Sequence, residues 1–438
     1  MILIKKGLNL PISGHPDPVV SDTPTIHKAA ILSNDFIGMK PTMLVKEGEK
    51  VKLGQKIIED KKNPGVFFTS PCGGEVSSIN RGDKRKFLSI EFDIDAEEES
   101  VLFDTNQDPK TLLIESGLFN AFRTRPFNRT PKVEDKPDRV FINACDTNPL
   151  AVSPKDIIQL NEADFNSGVA FISSLFDFDI DLAFEDDHRD YTFQNVNSTQ
   201  FKGPHPAGLA STHINAIYPV NLHRKVWTIN YQEVISIGYL VNNGKLRTHK
   251  NISLAGESVF NPSIVSARIG SNIDQLCAGK VNSNARVISG SVLFGHDAID
   301  AMSYLGFYDN QVTALPNHTD DVFLNWVMPG KNIHSKLNVF LSAFKKPAKF
   351  NFNTGINGGN RAIVPVGSYE EIIPHDILMT QLLKALVVGD VEVAAELGMF
   401  ELTAEDLALA TYVCPSKYDY CSILMDNLNK VYEELWSF

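Results

Sequence analysis

The sequence predicts a mixed α+β and α/β chain of several domains, and three patterns lead to that reading. Between Thr42 and Phe92 short β runs alternate with turns at regular close spacing, as in a small all-β barrel or sandwich. From Arg139 onward strand-like apolar runs alternate with helical stretches, the signature of a parallel sheet of Rossmann-like order. From Ile377 to the end the apolar residues recur at helical spacing. A chain of 438 residues also exceeds one core; at roughly 150 residues per domain it holds about three.

Taken in order, residues 1–40 are punctuated by Pro and Gly and read as an extended arm with short strands. Residues 41–96 form the small β unit. Its stretch Val45–Gln55, with Ser70-Pro71-Cys72-Gly73-Gly74-Glu75-Val76, looks like the barrel-sandwich of lipoyl and biotinyl carriers. In such carriers an exposed hairpin lysine receives the cofactor, and Lys61 or Lys62 would stand near that tip. The usual Met-Lys-Met or Asp-Lys-Ala context is missing, so two solvated lysines before Pro64-Gly65 account for the motif. Residues 97–138 are an acidic connector whose Phe122-Arg123-Thr124-Arg125-Pro126-Phe127 either binds an anion or locks onto acidic neighbours.

Residues 139–249 are the Rossmann-like α/β unit. Strand Arg139–Ala144 ends at Asp146-Thr147-Asn148, where open α/β sheets hold ligands; Asp146 and Asn148 could equally cap a turn. Gly203-Pro204-His205-Pro206-Ala207-Gly208 could bring backbone close to a phosphate, but it is neither G-x-G-x-x-G nor a P-loop. Residues 250–374 are β-rich with one short helix, and the Asn- and Gly-rich stretch Asn351–Arg361 reads as hairpin turns. Residues 375–438 are helical. Ile377, Leu378, Leu382, Leu383 and Leu386 fit one stripe, Asp390 caps the next helix, and Thr403–Asp406 is a capping motif.

Composition narrows the function. The formal net charge is −12, which excludes a nucleic-acid surface and disfavours direct contact with anionic lipid. No secretory signal opens the chain, and the longest apolar runs fall far short of the ~20 residues that span a bilayer. The expectation is a protein without direct membrane insertion, held at a membrane only by partners. Five widely spaced cysteines point to reduced thiols; Cys414 and Cys421 alone are a poor iron–sulfur site. The histidines form no metal motif; His205 and His213 could join Asp186 or Asp187, but they read as solvated loop histidines, and no nucleophile elbow exists. The expectation is therefore no catalytic residue and no metal of its own. That points to binding, gating or assembly.

Nine segments then resemble one family, in order and from end to end. They include Ile4–Pro11, Glu59–Gly65, Arg123–Phe127, Asp146–Leu150 and Gly203–Ala210, then Tyr218–Asn221, Val287–Leu293, Met328–Asn332 and Val413–Tyr418. The chain resembles the A subunits, or alpha chains, of the Na+-translocating NADH:quinone oxidoreductases. The resemblance implies a peripheral subunit on the cytoplasmic side of the bacterial inner membrane, held by the other five subunits of the complex. That complex passes electrons from NADH through FAD, FMN, riboflavin and iron–sulfur centres to ubiquinone, coupled to Na+ export. It also implies a β-grasp-like (soluble-ligand-binding) fold for the third unit and a relation to the flavin- and NADH-binding subunit of complex I.

In those relatives a Tyr-Pro precedes a Gly-rich stretch that approaches the flavin, and Cys clusters follow near the C-terminus. Here the matching place is Tyr218-Pro219-Val220-Asn221-Leu222-His223-Arg224, without glycine, and only Cys414 and Cys421 remain. The expectation is a retained scaffold that binds no cofactor itself. The family link to quinone makes Phe122, Phe127, His205 and Tyr218 the candidate pocket residues, since a quinone needs an apolar slot and hydrogen-bond donors. The rivals are a free-standing flavin- or NADH-dependent oxidoreductase and a carrier modified at Lys61 or Lys62.

Overall fold

Two small sheets face each other at the start of the fold. Strands Lys28–Leu32, Phe87–Ile94, Gly74–Arg81 and Lys50–Val51 form one; Pro41–Met43, Lys56–Asp60 and Phe67–Thr69 form the other. Alternation sets the faces: Ile90 and Phe92 are buried while Asp93 is exposed. The computed structural model describes residues 1–21, 24–185, 191–318, 327–337, 339–345, 349–356 and 358–436.

The N-terminal arm is shared among three units. Ile2–Leu3 runs parallel to Val196–Lys202, Asp17–Ser21 joins Ser263–Arg268, and Lys28–Leu32 pairs with Phe87–Ile94. An extended segment carries a row of unpaired backbone donors and acceptors, and sheet edges satisfy them.

The second sheet has the order Ile2–Leu3, Val196–Lys202, Ile180–Phe184, Arg139–Ala144, Val226–Asn230, Arg123–Arg125. All neighbours are parallel except the last pair. The order reverses between Arg139–Ala144 and Val226–Asn230, the switch point of a doubly wound sheet. Helices Glu162–Ser174 and Tyr231–Asn243 cross with their backbones touching. A Cβ on Gly168 would meet Val234 O at 2.1 Å, and one on Gly238 would meet Asp164 O at 1.7 Å. The barrel-sandwich and the α/β unit share one continuous core, in which Ile57, Phe68 and Phe92 lie with Phe122, Phe165 and Trp227.

The third sheet is mixed. A parallel central pair, His249–Ala255 and Gln311–Pro316, is flanked by antiparallel Ser263–Arg268 and Ala285–Ser289. The C-terminal helices Met379–Val388, Val391–Glu396, Ala408–Val413 and Tyr420–Trp436 surround their own core of Leu382, Leu383, Leu386, Leu424 and Leu428. Asp390 accepts from Val393 N, and Thr403 and Asp406 form a capping box. Leu378, expected on the buried stripe, is 63% exposed, because it is the cap residue before the first helical turn.

The Arg-rich connector is locked in place. Buried Arg125 faces Glu405 at 3.7 Å and Asn128, Arg123 lies 3.4 Å over the Tyr308 ring, and Arg129 stacks on Tyr432 while donating to Asn429. These contacts take the acidic-neighbour role that the sequence offers, and they tie the α/β unit to the C-terminal helices.

Candidate functional site

The parallel strands deliver their last residues to one edge. Asp146, Thr147 and Asn148 follow Arg139–Ala144, Glu185 follows Ile180–Phe184, and Gly203 follows Val196–Lys202. A cleft of about 580 Å³ opens there, lined by Cys145, Thr147, Ser153, Glu185 and Gly203 among others. Asp146 accepts from Asn148 N and Nδ2, both at 3.0 Å, an Asx turn that closes on itself. Burial raises its carboxyl to about 6 against those two bonds. Glu185 accepts from Ser153 at 3.2 Å; burial, and then the charge of Asp146, push it up to about 7.

The glycines of this edge approach protein rather than leave room for a phosphate. A Cβ on Gly208 would meet Thr147 N at 2.5 Å, and one on Gly203 would meet Ile4 O at 2.3 Å. Gly208 N donates to Thr147 Oγ1, Asn143 Nδ2 donates to Gly208 O, and Leu8 N donates to His205 O. The switch-point loop is thus covered by the Gly203–Ala210 segment and the N-terminal arm.

His205 and His213 are buried, not the solvated loop histidines that the sequence suggests, because they serve this packing. His205 lies 3.3 Å from Thr147 Oγ1; His213 Nε2 lies 2.8 Å from Ala207 O, with its ring 4.2 Å from that of Phe201. Burial lowers both to about 4, so both are neutral near pH 7. Among the described residues no group of three His, Cys, Asp or Glu could hold a metal; Asp186 and Asp187 lie outside the described residues.

A second, narrower cavity of about 80 Å³ sits where the barrel-sandwich, the α/β unit and the third sheet meet. Phe36, Phe68 and Phe307 wall it, and Glu233, Lys250 and Asp35 supply its polar end. Lys250 Nζ donates to Phe307 O at 2.8 Å, Asp35 accepts from Phe307 N at 2.9 Å, and Glu233 Oε2 has no hydrogen-bond partner among the described residues. Burial pushes Glu233 up to about 7, countered by Lys250 and Arg123. It pushes Asp35 up to about 7 too, aided by Asp309. Sequence reading missed this cluster: Asp35, Glu233 and Lys250 come from three distant segments, and no local spacing links them.

The four quinone candidates occupy four packing environments. Phe122 is fully buried against Phe119 and Trp227. Phe127 meets Phe400 and Tyr432 edge-on. His205 is at the carboxyl edge of the sheet beside Thr147, whereas Tyr218 is at its amino edge, 5.2 Å from Arg139. Strand Arg139–Ala144 separates those edges by about 17 Å at 3.3 Å per residue. Neither cavity is lined by any of the four.

The glycine-free stretch after Tyr218 is filled by its own side chains. Val220 is buried with Phe141, Ile214 and Val226, and Arg224 lies 5.1 Å over the Tyr218 ring while donating to Pro219 O. Lys61 and Lys62 are exposed on their hairpin, but the turn is pinned: Asp60 accepts from Lys40 N and Lys62 N, and Asn63 donates to Pro131 O. All five cysteines are buried and unbridged. Burial opposes the Cys414 thiolate, yet the hydroxyls of Tyr369 at 3.2 Å and Tyr420 at 3.3 Å outweigh it and hold the thiol below its usual range. Burial pushes Cys421 up to about 12.

Similarity to known proteins runs through these same units. Residues 2–95 match the NqrA N-terminal barrel-sandwich hybrid domain, 105–246 the NqrA second alpha/beta domain, and 251–299 the NQRA C-terminal domain. The Na(+)-translocating NADH-quinone reductase A subunit of Haemophilus influenzae strain Rd is 44% identical, over 99% of this chain and 100% of its own length. The proteins of the same name from Neisseria meningitidis serogroup C and Rhodopirellula baltica are each 43% identical. The first covers 99% of this chain and 100% of its own, the second 98% of both. A solved NAD+-reducing [NiFe]-hydrogenase overlaps 49% of this chain and 48% of its own at 13% identity and a TM-score of 0.35, too slight a likeness to argue from. Identity of this level across the full length, through three domain matches in order, shows that the chain belongs to the NqrA family, the A subunits of Na(+)-translocating NADH-quinone reductases.

Proposed function

We propose that this chain is a peripheral, non-catalytic subunit of a Na+-translocating NADH:ubiquinone reductase. It works with five partner subunits on the cytoplasmic side of a bacterial inner membrane, and the complex reduces ubiquinone with electrons from NADH while exporting Na+. The observation that carries this reading is the 44% identity over the whole length of a protein named as such a component. No helix among the described residues is long and apolar enough to cross a membrane.

In this reading NADH, FAD, FMN, riboflavin and iron–sulfur centres belong to the partners. The support is steric: Gly208 packs on Thr147 and Ile4 on Gly203, Val220 and Arg224 fill the stretch after Tyr218, and Cys414 is engaged by two tyrosines. The third unit is read as β-grasp-like on its parallel central pair, and the whole as related to the flavin-binding subunit of complex I. The chain also contributes to ubiquinone binding. Among Phe122, Phe127, His205 and Tyr218, half-buried Tyr218 is the best candidate to donate to a quinone carbonyl, since Phe122 is fully enclosed.

Inverted membrane vesicles from cells lacking this chain are the test. They should lose Na+-stimulated NADH:ubiquinone reduction and Na+ uptake, and regain both when the chain is resupplied. Undiminished activity without it would contradict the proposal. A Tyr218→Phe variant should raise the KM for quinone about tenfold, the effect of losing one hydrogen bond worth about 1.4 kcal/mol; an unchanged KM would remove Tyr218 from the quinone site.

A further inference from the structure

One stretch of the chain inverts its overall charge. Residues 322–369 contain no Asp or Glu, and carry Lys331, Lys336, Lys345, Lys346, Lys349 and Arg361 in a protein of net charge −12. The same stretch breaks the usual burial rule. Val327, Met328, Leu337, Val339, Leu341, Phe344, Ile356, Val364 and Val366 are each at least 46% exposed, and Phe344 is 87% exposed. The other exposed large apolar side chains of the described residues are spread over all the rest of the chain.

This stretch is anchored to the fold, not loose from it. Phe350 N donates to Pro11 O and Ser13 N to Phe350 O; His334 hydrogen-bonds Tyr412 at 2.7 Å and packs on Phe350 and Phe352. Lys336 donates to Ser368 O and pairs with Glu371 at 2.7 Å, and Ser416 donates to Ala362 O. The polar backbone and one aromatic cluster hold the stretch down while its aliphatic side chains face outward. Exposed apolar side chains interleaved along the chain with one sign of charge mark an interaction surface.

We infer that the described residues among 327–366 are a membrane-surface contact that takes an anionic lipid bilayer, with Lys331, Lys349 and Arg361 meeting headgroups and the exposed aliphatic and Phe344 side chains entering the interface. Charge complementarity selects this partner. Anionic headgroups attract basic residues next to apolar ones, at about a fivefold gain in binding for each Lys or Arg near the surface. The cytoplasmic loops of membrane proteins carry an excess of Lys and Arg and would repel a basic, acid-free stretch. Preferring lipid to a protein loop rests on the cytoplasmic reading above. The rest of the chain, being acidic, is repelled by the same surface, so the contact is oriented as well as local.

The test uses the purified full-length chain and sedimentation with vesicles of phosphatidylglycerol and phosphatidylethanolamine, or of phosphatidylcholine alone. The chain should bind the anionic vesicles, bind neutral ones far more weakly, and be released by high salt. A triple variant Lys331→Gln, Lys349→Gln, Arg361→Gln should bind about a hundredfold more weakly, and Phe344→Asp should also weaken binding, both with unchanged circular dichroism and melting. No binding to either vesicle, or equal binding by the triple variant, would overturn the inference. So would binding that appears only when integral membrane proteins of the complex are reconstituted into the vesicles; that result would assign the surface to a protein and leave the proposed membership of the complex standing.

Discussion

Glu185 stands at the carboxyl edge of the sheet with Asp146 close by, and its carboxyl is pushed up from 4.5 to about 7 by burial and that neighbour. In the unfolded chain it ionises near 4.5, so between about 4.5 and 7 the unfolded state holds fewer protons than the folded one. Rising pH therefore costs stability across that window, and the whole cost is present above it. Glu185→Gln cannot ionise. It should melt roughly 2–4 °C higher than the parent at about pH 8, with the difference closing towards about pH 5; calorimetry showing the same difference at both would contradict the assignment. At this scale the sequence was legible where a motif is local. The Asx turn of Asp146 and Asn148 and the caps at Asp390 and Thr403 are all set by spacings of two or three residues. The burial of His205 and the Glu233–Lys250–Asp35 cluster were not, because each depends on residues far apart in the chain.

Two contacts between elements set the packing, one inside the α/β unit and one from it to the C-terminal helices. Gly168 and Gly238 let their helices meet backbone to backbone. Alanine at Gly238 gains about 1 kcal/mol in helix propensity but places a Cβ at 1.7 Å from Asp164 O, so the crossing must open. Gly238→Ala should lose about 2–4 kcal/mol in chemical denaturation, since overpacking and lost contacts outweigh the propensity gain; a neutral or stabilising result would mean the helices separate freely. Arg125 makes the second contact, buried against Glu405 and beside Asp406. Arg125→Ala leaves those carboxylates buried without their cation, at a cost of about 3–5 kcal/mol. Limited proteolysis should then cut between the α/β unit and the C-terminal helices faster than in the parent, and an unchanged pattern would contradict the lock. Strand and helix types were readable from periodicity. The destination of the arm was not, since an extended segment does not encode which sheet edge it will join.

At the scale of the whole molecule, four units share surfaces that no single segment specifies. The barrel-sandwich and the α/β unit merge into one core, and the third sheet closes the cavity at Glu233 and Lys250. The basic, apolar stretch 327–366 was present in the sequence as a run without acid, yet its meaning required knowing that its aliphatic side chains are exposed. The same holds for the site: a ligand edge at the strand ends was expected, but the packing of Gly208 on Thr147 beside the cleft depends on residues far apart in the chain. In the proposed reading this chain is an assembly component whose redox partners lie elsewhere. Tagging it in its native host, solubilising the membranes gently and identifying what co-purifies tests this most directly. Multi-span membrane proteins should be recovered with a flavin-carrying NADH dehydrogenase. Recovery of the chain alone from the soluble fraction, yellow with its own bound flavin, would contradict that reading.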